Sequence, residues 1–196
     1  MNDQSAVSDQ ELLQRIAQGD EDAFRRLFDL HRDKVFNLAY RYTGSHADAE
    51  EISQDVFLKV YKKAASFRQE ARFTTWLYRI TVNTCLNFKR RKKIPIESLD
   101  QMQEPGPGFQ EPAAPRSENP EEIYKRRKRA ELVRHALDQL PSKQRIAFIM
   151  GKFDGYSYDE ISKVLGINTN AVAALMHRAK EQLKKFLLPL RLKGEL

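Results

Sequence analysis

Cysteine is nearly absent. Cys85 is the only one in 196 residues, which excludes an internal disulfide and a cysteine-rich zinc site and makes a reducing cytoplasm the simplest home. No apolar run approaches the roughly 18–20 residues that span a bilayer, so no membrane insertion is expected. The N-terminal MNDQSAVSDQELL lacks the basic n-region and apolar h-region of a secretory signal. Glycine is scarce, at 8 residues, and no segment alternates apolar with polar residues, which leaves neither a strand pattern nor an internal repeat. The phosphate-cradling GxxxxGK[ST], the dinucleotide GxGxxG and the zinc-binding HExxH are all missing. His31, His46, His135 and His177 stand far apart with no Cys or acidic partner at ligand spacing. Neither a metal nor another cofactor is therefore expected. With no Ser/His/Asp assembly to argue for, the expectation is a non-enzyme.

What the chain has is charge, unevenly spread. Hydrophobic residues make up 41% and charged residues 31%, enough for packed cores. Lys and Arg outnumber Asp and Glu 34 to 27, giving +7. Residues 68–93 carry eight Lys/Arg against one acid, residues 97–122 seven acids against one Arg, and residues 125–129 read KRRKR. Residues 177–193 add six Lys/Arg against one Glu. Basic blocks on either side of an acidic stretch point to a polyanionic partner.

Proline marks the organisation. Six of the eight prolines lie between 95 and 120 and none in 1–93. The stretch 94–120 reads as a flexible, acidic, Pro-rich linker. The chain is expected to be all-α, with two small helical domains at 1–93 and 121–196. In the first, Ser8 precedes Leu12, Leu13 and Ile16. Asp20 and Glu21 open a pattern that Gly44 and Ser45 break. Further helices are expected over Ala47–Ala65 and Thr74–Lys92. In the second, helices are expected over 121–139, after Pro141–Ser142 until Gly155, over 158–165, and over 169–187. Pro189 predicts that the last helix ends before it.

Three constellations carry chemistry. On the fourth helix Thr75, Arg79, Asn83 and Asn87 recur every four residues and so share a face. Phe67, Arg68, Arg72, Phe73 and Trp76 precede or flank them. Aromatic and basic groups on one surface suit unpaired bases, which expose faces for stacking. Lys89, Arg90 and Arg91 then offer cations to phosphates, or simply complement the helix dipole as a solvated basic cap. On the third helix Glu51, Gln54, Asp55 and Leu58 form an i, i+3, i+4, i+7 stripe that suits a protein partner. The acidic start and basic end of that helix also suit its macrodipole alone.

The third constellation is YSYDEISKVLGINTNAVAALMHRAKEQLKKF, which has helix-turn-helix spacing. Ile161, Leu165, Val172 and Leu175 face inward, Gly166 ends the first helix in the left-handed region, and Ile167 plugs the turn. The second helix brings Asn168, Thr169, Asn170, His177, Arg178 and Lys180 to a major groove. An ordinary helical hairpin with a glycine cap is the bland alternative.

GDEDAFRRLFDLHRDKVFNLAYRYTGSHADAEEISQDVFLKVYKKAASFR, then FTTWLYRITVNTCLNFKRRKK, then LDQLPSKQRIAFIMGKFDGYSYDEISKVLGI resemble bacterial sigma factors of the small two-domain group called extracytoplasmic-function, or group 4. The resemblance covers about 10–93 and 121–188. It implies a subunit that binds core RNA polymerase, recognises −10 and −35 promoter elements and helps open the duplex. Residues 1–93 are similar to sigma region 2. Glu51, Gln54, Asp55 and Leu58 would dock on the clamp helices of the polymerase. Phe67, Arg68, Arg72, Trp76, Arg79, Asn83, Asn87, Lys89, Arg90 and Arg91 would read the −10 element and capture a flipped base, whose unstacking cost the pocket must offset. Residues 121–196 are similar to sigma region 4, which reads the −35 element and rests on the polymerase flap.

His177, Arg178 and Ala179 match the family pattern, but Ala173 and Ala174 stand where the family usually has basic and hydroxyl DNA contacts. Weaker or altered −35 selectivity is expected. The acidic stretch is similar to the family linker that threads toward the RNA exit path, as an RNA mimic or as a solvated tether. The resemblance also implies an anti-sigma factor as a partner. Two other classes stand beside this one. A dimeric helix-turn-helix regulator would bind its duplex without polymerase. A nucleic-acid enzyme would need a metal or carboxylate cluster.

Overall fold

Ser8, Asp20 and Ser45 each start a helix by the same chemistry. The Ser8 hydroxyl accepts from the Glu11 amide at 3.2 Å, the Asp20 carboxylate from Ala23 at 2.9 Å and the Ser45 hydroxyl from Asp48 at 3.3 Å, satisfying amides that the first turn leaves open. That bond from Ala23, followed by one from Arg15, holds the Asp20 carboxyl below its ordinary value. The computed structural model describes residues 7–67, 72–92 and 120–192.

Among these residues the chain is helical throughout, with no strand. The first compact unit holds α1 (Asp9–Ala17), α2 (Glu21–Thr43), α3 (His46–Lys63), a 3₁₀ turn η1 (Ala64–Ser66) and α4 (Phe73–Lys92). The second holds α5 (Pro120–Asp138), α6 (Ser142–Lys152), α7 (Tyr158–Leu165) as far as Ser162, and α8 (Thr169–Leu192). Among the described residues no helix is long and apolar enough to cross a membrane.

In the first unit α2, α3 and α4 pack on one another and α1 lies against α2 and η1. The core takes Leu12 and Leu13 from α1, Leu27 and Leu38 from α2, Ile52 and Val56 from α3, and Leu77 and Val82 from α4. Gly44 ends α2 at φ +75°, a conformation that a side chain would strain. α3 ends at Lys63 rather than Ala65, because the chain tightens into η1 before Phe67. Two buried threonines on α4 need no outside partner, since Thr81 donates to the Leu77 carbonyl at 2.9 Å and Thr84 to Ile80 at 2.8 Å. Thr84 in turn accepts from Lys59 at 2.9 Å and ties α4 to α3. Cys85 is fully buried as a small hydrophobe, and burial pushes its thiol up to about 12.

In the second unit α8 is the axis, packed by α5 and α6. Its buried residues Val172, Met176, Ala179 and Leu183 recur at spacings of four, three and four. Gly151 lets α6 approach, because a Cβ there would lie 2.9 Å from the Met176 methyl. Arg145 on α6 is buried. Its Nε donates to the Leu137 carbonyl at 2.7 Å and its guanidinium pairs with Asp138, clamping the end of α5 to α6. Gly166 takes φ +66° between α7 and α8, as its place in the turn requires.

α8 does not stop before Pro189. It runs to Leu192 with the proline inside. The ring removes a single bond, to the carbonyl of Lys185, and both residues are exposed, where water can satisfy that oxygen.

Candidate nucleic-acid interface

α3 turns its apolar side inward through Ile52, Val56 and Val60, which leaves the opposite side to solvent. Glu51, Gln54 and Leu58 are exposed there and Asp55 is half-exposed. Leu58, at 55% exposure, is an uncovered large apolar residue on an otherwise polar stripe. Asp55 is not isolated. Its carboxylate lies 3.6 Å from Arg91 and 4.0 Å from Lys59. Spacing along α3 gives no sign of that link to α4.

α4 carries the second surface. Leu77, Tyr78, Val82 and Cys85 face the core, so Arg79, Asn83 and Asn87, at i, i+4 and i+8, are exposed, with Thr75 half-buried at the start of the row. Phe67, Phe73 and Trp76 form an aromatic cluster at the head of the helix, with Phe67 5.1 Å from Trp76 and 6.3 Å from Phe73, and Phe73 6.0 Å from Trp76. Phe73 is buried, whereas Phe67 and Trp76 keep part of each ring exposed. Arg72 is exposed, and Arg68 lies outside the described residues. At the far end Arg90 donates to the Asn87 side chain at 3.0 Å. The Lys89 ammonium sits 5.7 Å from the Tyr42 ring centre, so its stem is half-buried while Arg90 and Arg91 project.

The third surface is the start of α8. Thr169, Asn170, His177, Arg178 and Lys180 are exposed. Asn168 is exposed too, but its Oδ1 accepts from the Ala171 amide at 2.7 Å. It caps the helix, and only its amide group is left to donate to a ligand. Ala174 is exposed and Ala173 half-buried in this same region, so two positions of the face offer only methyl groups. On α7 Ile161 and Val164 are buried. Lys125 to Arg129, on the first half of α5, are all exposed. The acidic Pro-rich stretch lies almost wholly outside the described residues. Among those residues no group of three His, Cys, Asp or Glu is placed to hold a metal.

The sequence reading missed three features. Arg145 carries no role in the sequence reading, and it is buried. His31 enters the sequence reading only as an isolated histidine, and it is buried against Asp9 and Phe73. The buried set of α8 includes Met176, with Leu175 only half-buried. Two signals were available: Arg145 and His31 both fall on the inward spacing of their helices, beside Ile149 on α6 and between Leu27 and Val35 on α2.

The fold and these surfaces define a class, an all-helical protein whose second unit is a helix-turn-helix. Its family follows from comparison with known proteins. Residues 27–94 match the Sigma-70 region 2 model and residues 130–183 the Sigma-70 region 4 model. The ECF RNA polymerase sigma-E factor of Escherichia coli K12 is 31% identical over 94% of this chain and 96% of its own length. The RNA polymerase sigma-H factor of Pseudomonas aeruginosa is 33% identical over 93% and 95%. The SigE factor of Mycolicibacterium smegmatis is 35% identical over 80% of this chain, which spans only 58% of that longer protein. In fold, the chain is similar to CnrH, solved with the cytosolic domain of CnrY, at a TM-score of 0.66 and 22% identity over 91% of this chain and 96% of that one. The sigma factor RpoE of Bartonella quintana, solved with the anti-sigma factor NepR, gives 0.60 and 20% over 84% and 96%. The chain belongs to the extracytoplasmic-function family of RNA polymerase sigma factors, which direct promoter-specific transcription initiation as non-catalytic subunits of the polymerase.

Proposed function

We propose that this chain works as three separate surfaces on two domains, 1–93 and 121–196, joined by the 94–120 linker. The exposed α3 stripe of Glu51, Gln54, Asp55 and Leu58 docks on the clamp helices of core RNA polymerase. The α4 row of Arg79, Asn83 and Asn87, with Phe67, Arg68, Arg72 and Trp76 at its head and Lys89, Arg90 and Arg91 at its end, reads the −10 element as a single strand. The start of α8, with Asn168, Thr169, Asn170, His177, Arg178 and Lys180, reads the −35 duplex, while its domain rests on the flap. An anti-sigma factor is a further partner; RpoE of Bartonella quintana, similar in fold, was solved with one. The site of action is the cytoplasm, where polymerase and DNA meet. The chain performs no bond chemistry of its own, because melting is driven by the binding of the opened strand.

The observation that carries this reading is the arrangement of α4. A row of amide and guanidinium groups is exposed along one side, and the head of the same helix holds a partly open aromatic cluster. Rings supply stacking that any base accepts, and Asn and Arg supply hydrogen bonds to base edges. Duplex DNA hides the base faces, so a surface with both is matched to an opened strand.

The test is co-elution with core RNA polymerase on gel filtration. Wild type should co-elute, and the triple variant Glu51→Ala/Gln54→Ala/Asp55→Ala should lose about a hundredfold in affinity, at about 1 kcal/mol for each of three residues central to the interface. Asp55→Ala also unpairs Arg91 and Lys59. Those exposed pairs contribute little to stability, so the triple variant should still fold. Co-elution that survives the triple change would move the docking site. No complex with wild type would remove the polymerase reading and leave an operator-binding regulator.

A further inference from the structure

The three surfaces leave α1 without a role. It lies outside the residues that match the region 2 model, and yet it is built into the first unit at two points. One is η1, against which α1 packs and which leads directly into Phe67. The other is its first residue. Asp9 Oδ1 lies 2.8 Å from His31 Nε2. A carboxylate only accepts, so His31 donates.

His31 is an unexpected occupant of its place. It sits on the inward face of α2 between Leu27 and Val35, at 5% exposure. An apolar side chain there would fill the space without needing a partner. Its Nδ1 has no hydrogen-bond partner among the described residues, so the contact with Asp9 is what orients the ring. The ring then meets Phe73 edge-on, with centroids 5.0 Å apart. Phe73 is the buried member of the aromatic cluster and touches both Phe67 and Trp76. A continuous set of contacts therefore runs from Asp9 through His31 and Phe73 to Trp76. A second runs from α1 through η1 to Phe67. Both partly exposed rings are set from behind by α1.

We propose that Asp9 and His31 are positioning residues for promoter opening: through Phe73 they hold the Phe67 and Trp76 rings in the arrangement that stacks on unpaired promoter bases. The inference rests on the reading of α4 given above. A platform already in its bound geometry gives up less freedom on binding than one that must order first. α1 thus sets the affinity for the opened strand while touching neither DNA nor polymerase.

Trp76 is the only tryptophan of the chain, so its fluorescence reads the cluster directly. Asp9 is only partly buried, with 30% of its side chain exposed, so Asp9→Ala should fold, and Asp9→Asn keeps an oxygen that can accept from His31. Holoenzymes would be assembled from each variant and core polymerase. The strand probe is a labelled short single strand recovered from a random pool on the wild-type holoenzyme. The control probe is a duplex recovered in the same way. Asp9→Ala should shift the Trp76 emission of the free protein and weaken single-strand binding about tenfold, the loss of a substantial part of one stacked base. Co-elution with core and duplex affinity should stay unchanged, and Asp9→Asn should restore both signals. Unchanged emission, unchanged strand affinity, equal losses on duplex and strand, or failure of Asp9→Asn to restore would each overturn the proposal. A wild-type holoenzyme that forms but selects no single strand would overturn the reading of α4 and this inference with it.

Discussion

Arg145 is a cation at 1% exposure, and its removal would strand two acceptors, the Leu137 carbonyl and the Asp138 carboxylate. Arg145→Ala should lower the stability of the second unit by about 2–3 kcal/mol, below the range for a fully buried pair because Asp138 is partly exposed. Arg145→Lys should recover only part of this, since an ammonium cannot reach both acceptors with a guanidinium's fork. Urea denaturation of the two variants measures both. Cys85 makes a prediction about pH. Its folded thiol is pushed up to about 12 from an ordinary value of 9.0. The unfolded chain therefore releases this proton first, and stability falls as pH rises from about 9 toward 12, by up to about 1.4 kcal/mol per pH unit from this group. Below pH 9 the contribution is constant. Cys85→Ala should show a shallower fall between pH 9 and 11, and in the folded wild type the thiol should resist alkylation at pH 8. Both residues show the limit of reading single positions. Cys85 was legible because its neighbours are apolar at helical spacing. Arg145 was overlooked although its spacing with Ile149 points inward, because its partners lie across a turn and only packing names them.

At the scale of the element, boundaries written in local chemistry were readable. Gly44, Gly155 and Gly166 all take positive φ where the chain turns, and Ser8, Asp20 and Ser45 all cap. Local signals failed where a neighbour or solvent decided. η1 shortens α3, and solvent exposure lets α8 pass Pro189. The exposed row on α4 was legible as a row, since a spacing of four alone fixes its face. The contact of Asp55 with Arg91 was not, since it joins two helices whose separation no spacing encodes. α8 yields a test of its own. Ala173 and Ala174 leave two methyl positions on the proposed duplex-reading face. Ala173→Lys should tighten −35 duplex binding by holoenzyme and steepen the salt dependence of log K by about 0.9, as expected for one added phosphate contact. A slope and affinity equal to wild type would show that position 173 does not face the backbone.

At the scale of the whole molecule, each unit has its own hydrophobic core. Unfolding should then not follow a single two-state transition. Leu77→Ala, at a fully buried position in the first unit, should cost about 3 kcal/mol. It should lower one calorimetric transition and leave the other in place, and Arg145→Ala should do the reverse. The division into two helical domains was legible because proline is confined so sharply in sequence. The Asp9–His31–Phe73 contacts were not, because they assemble residues from three helices of one core: the spacing of His31 with Leu27 and Val35 marks an inward position but names neither of its partners.

The first half of α5 has a thermodynamic consequence of a different kind. Its anchors to the core, Val133, Ala136, Leu137 and Leu140, all lie in or just beyond its second half. The turns before them carry five consecutive cations, all exposed, with the Glu121–Lys125 pair at 2.7 Å as a local offset. Like charges three and four apart oppose helix formation, and added salt screens them within a Debye length of about 10 Å at 0.1 M. Raising ionic strength should therefore slow amide exchange in residues 121–131, even as the same salt weakens the hold of the protein on nucleic acid. One variable would order this segment and loosen the complex at once.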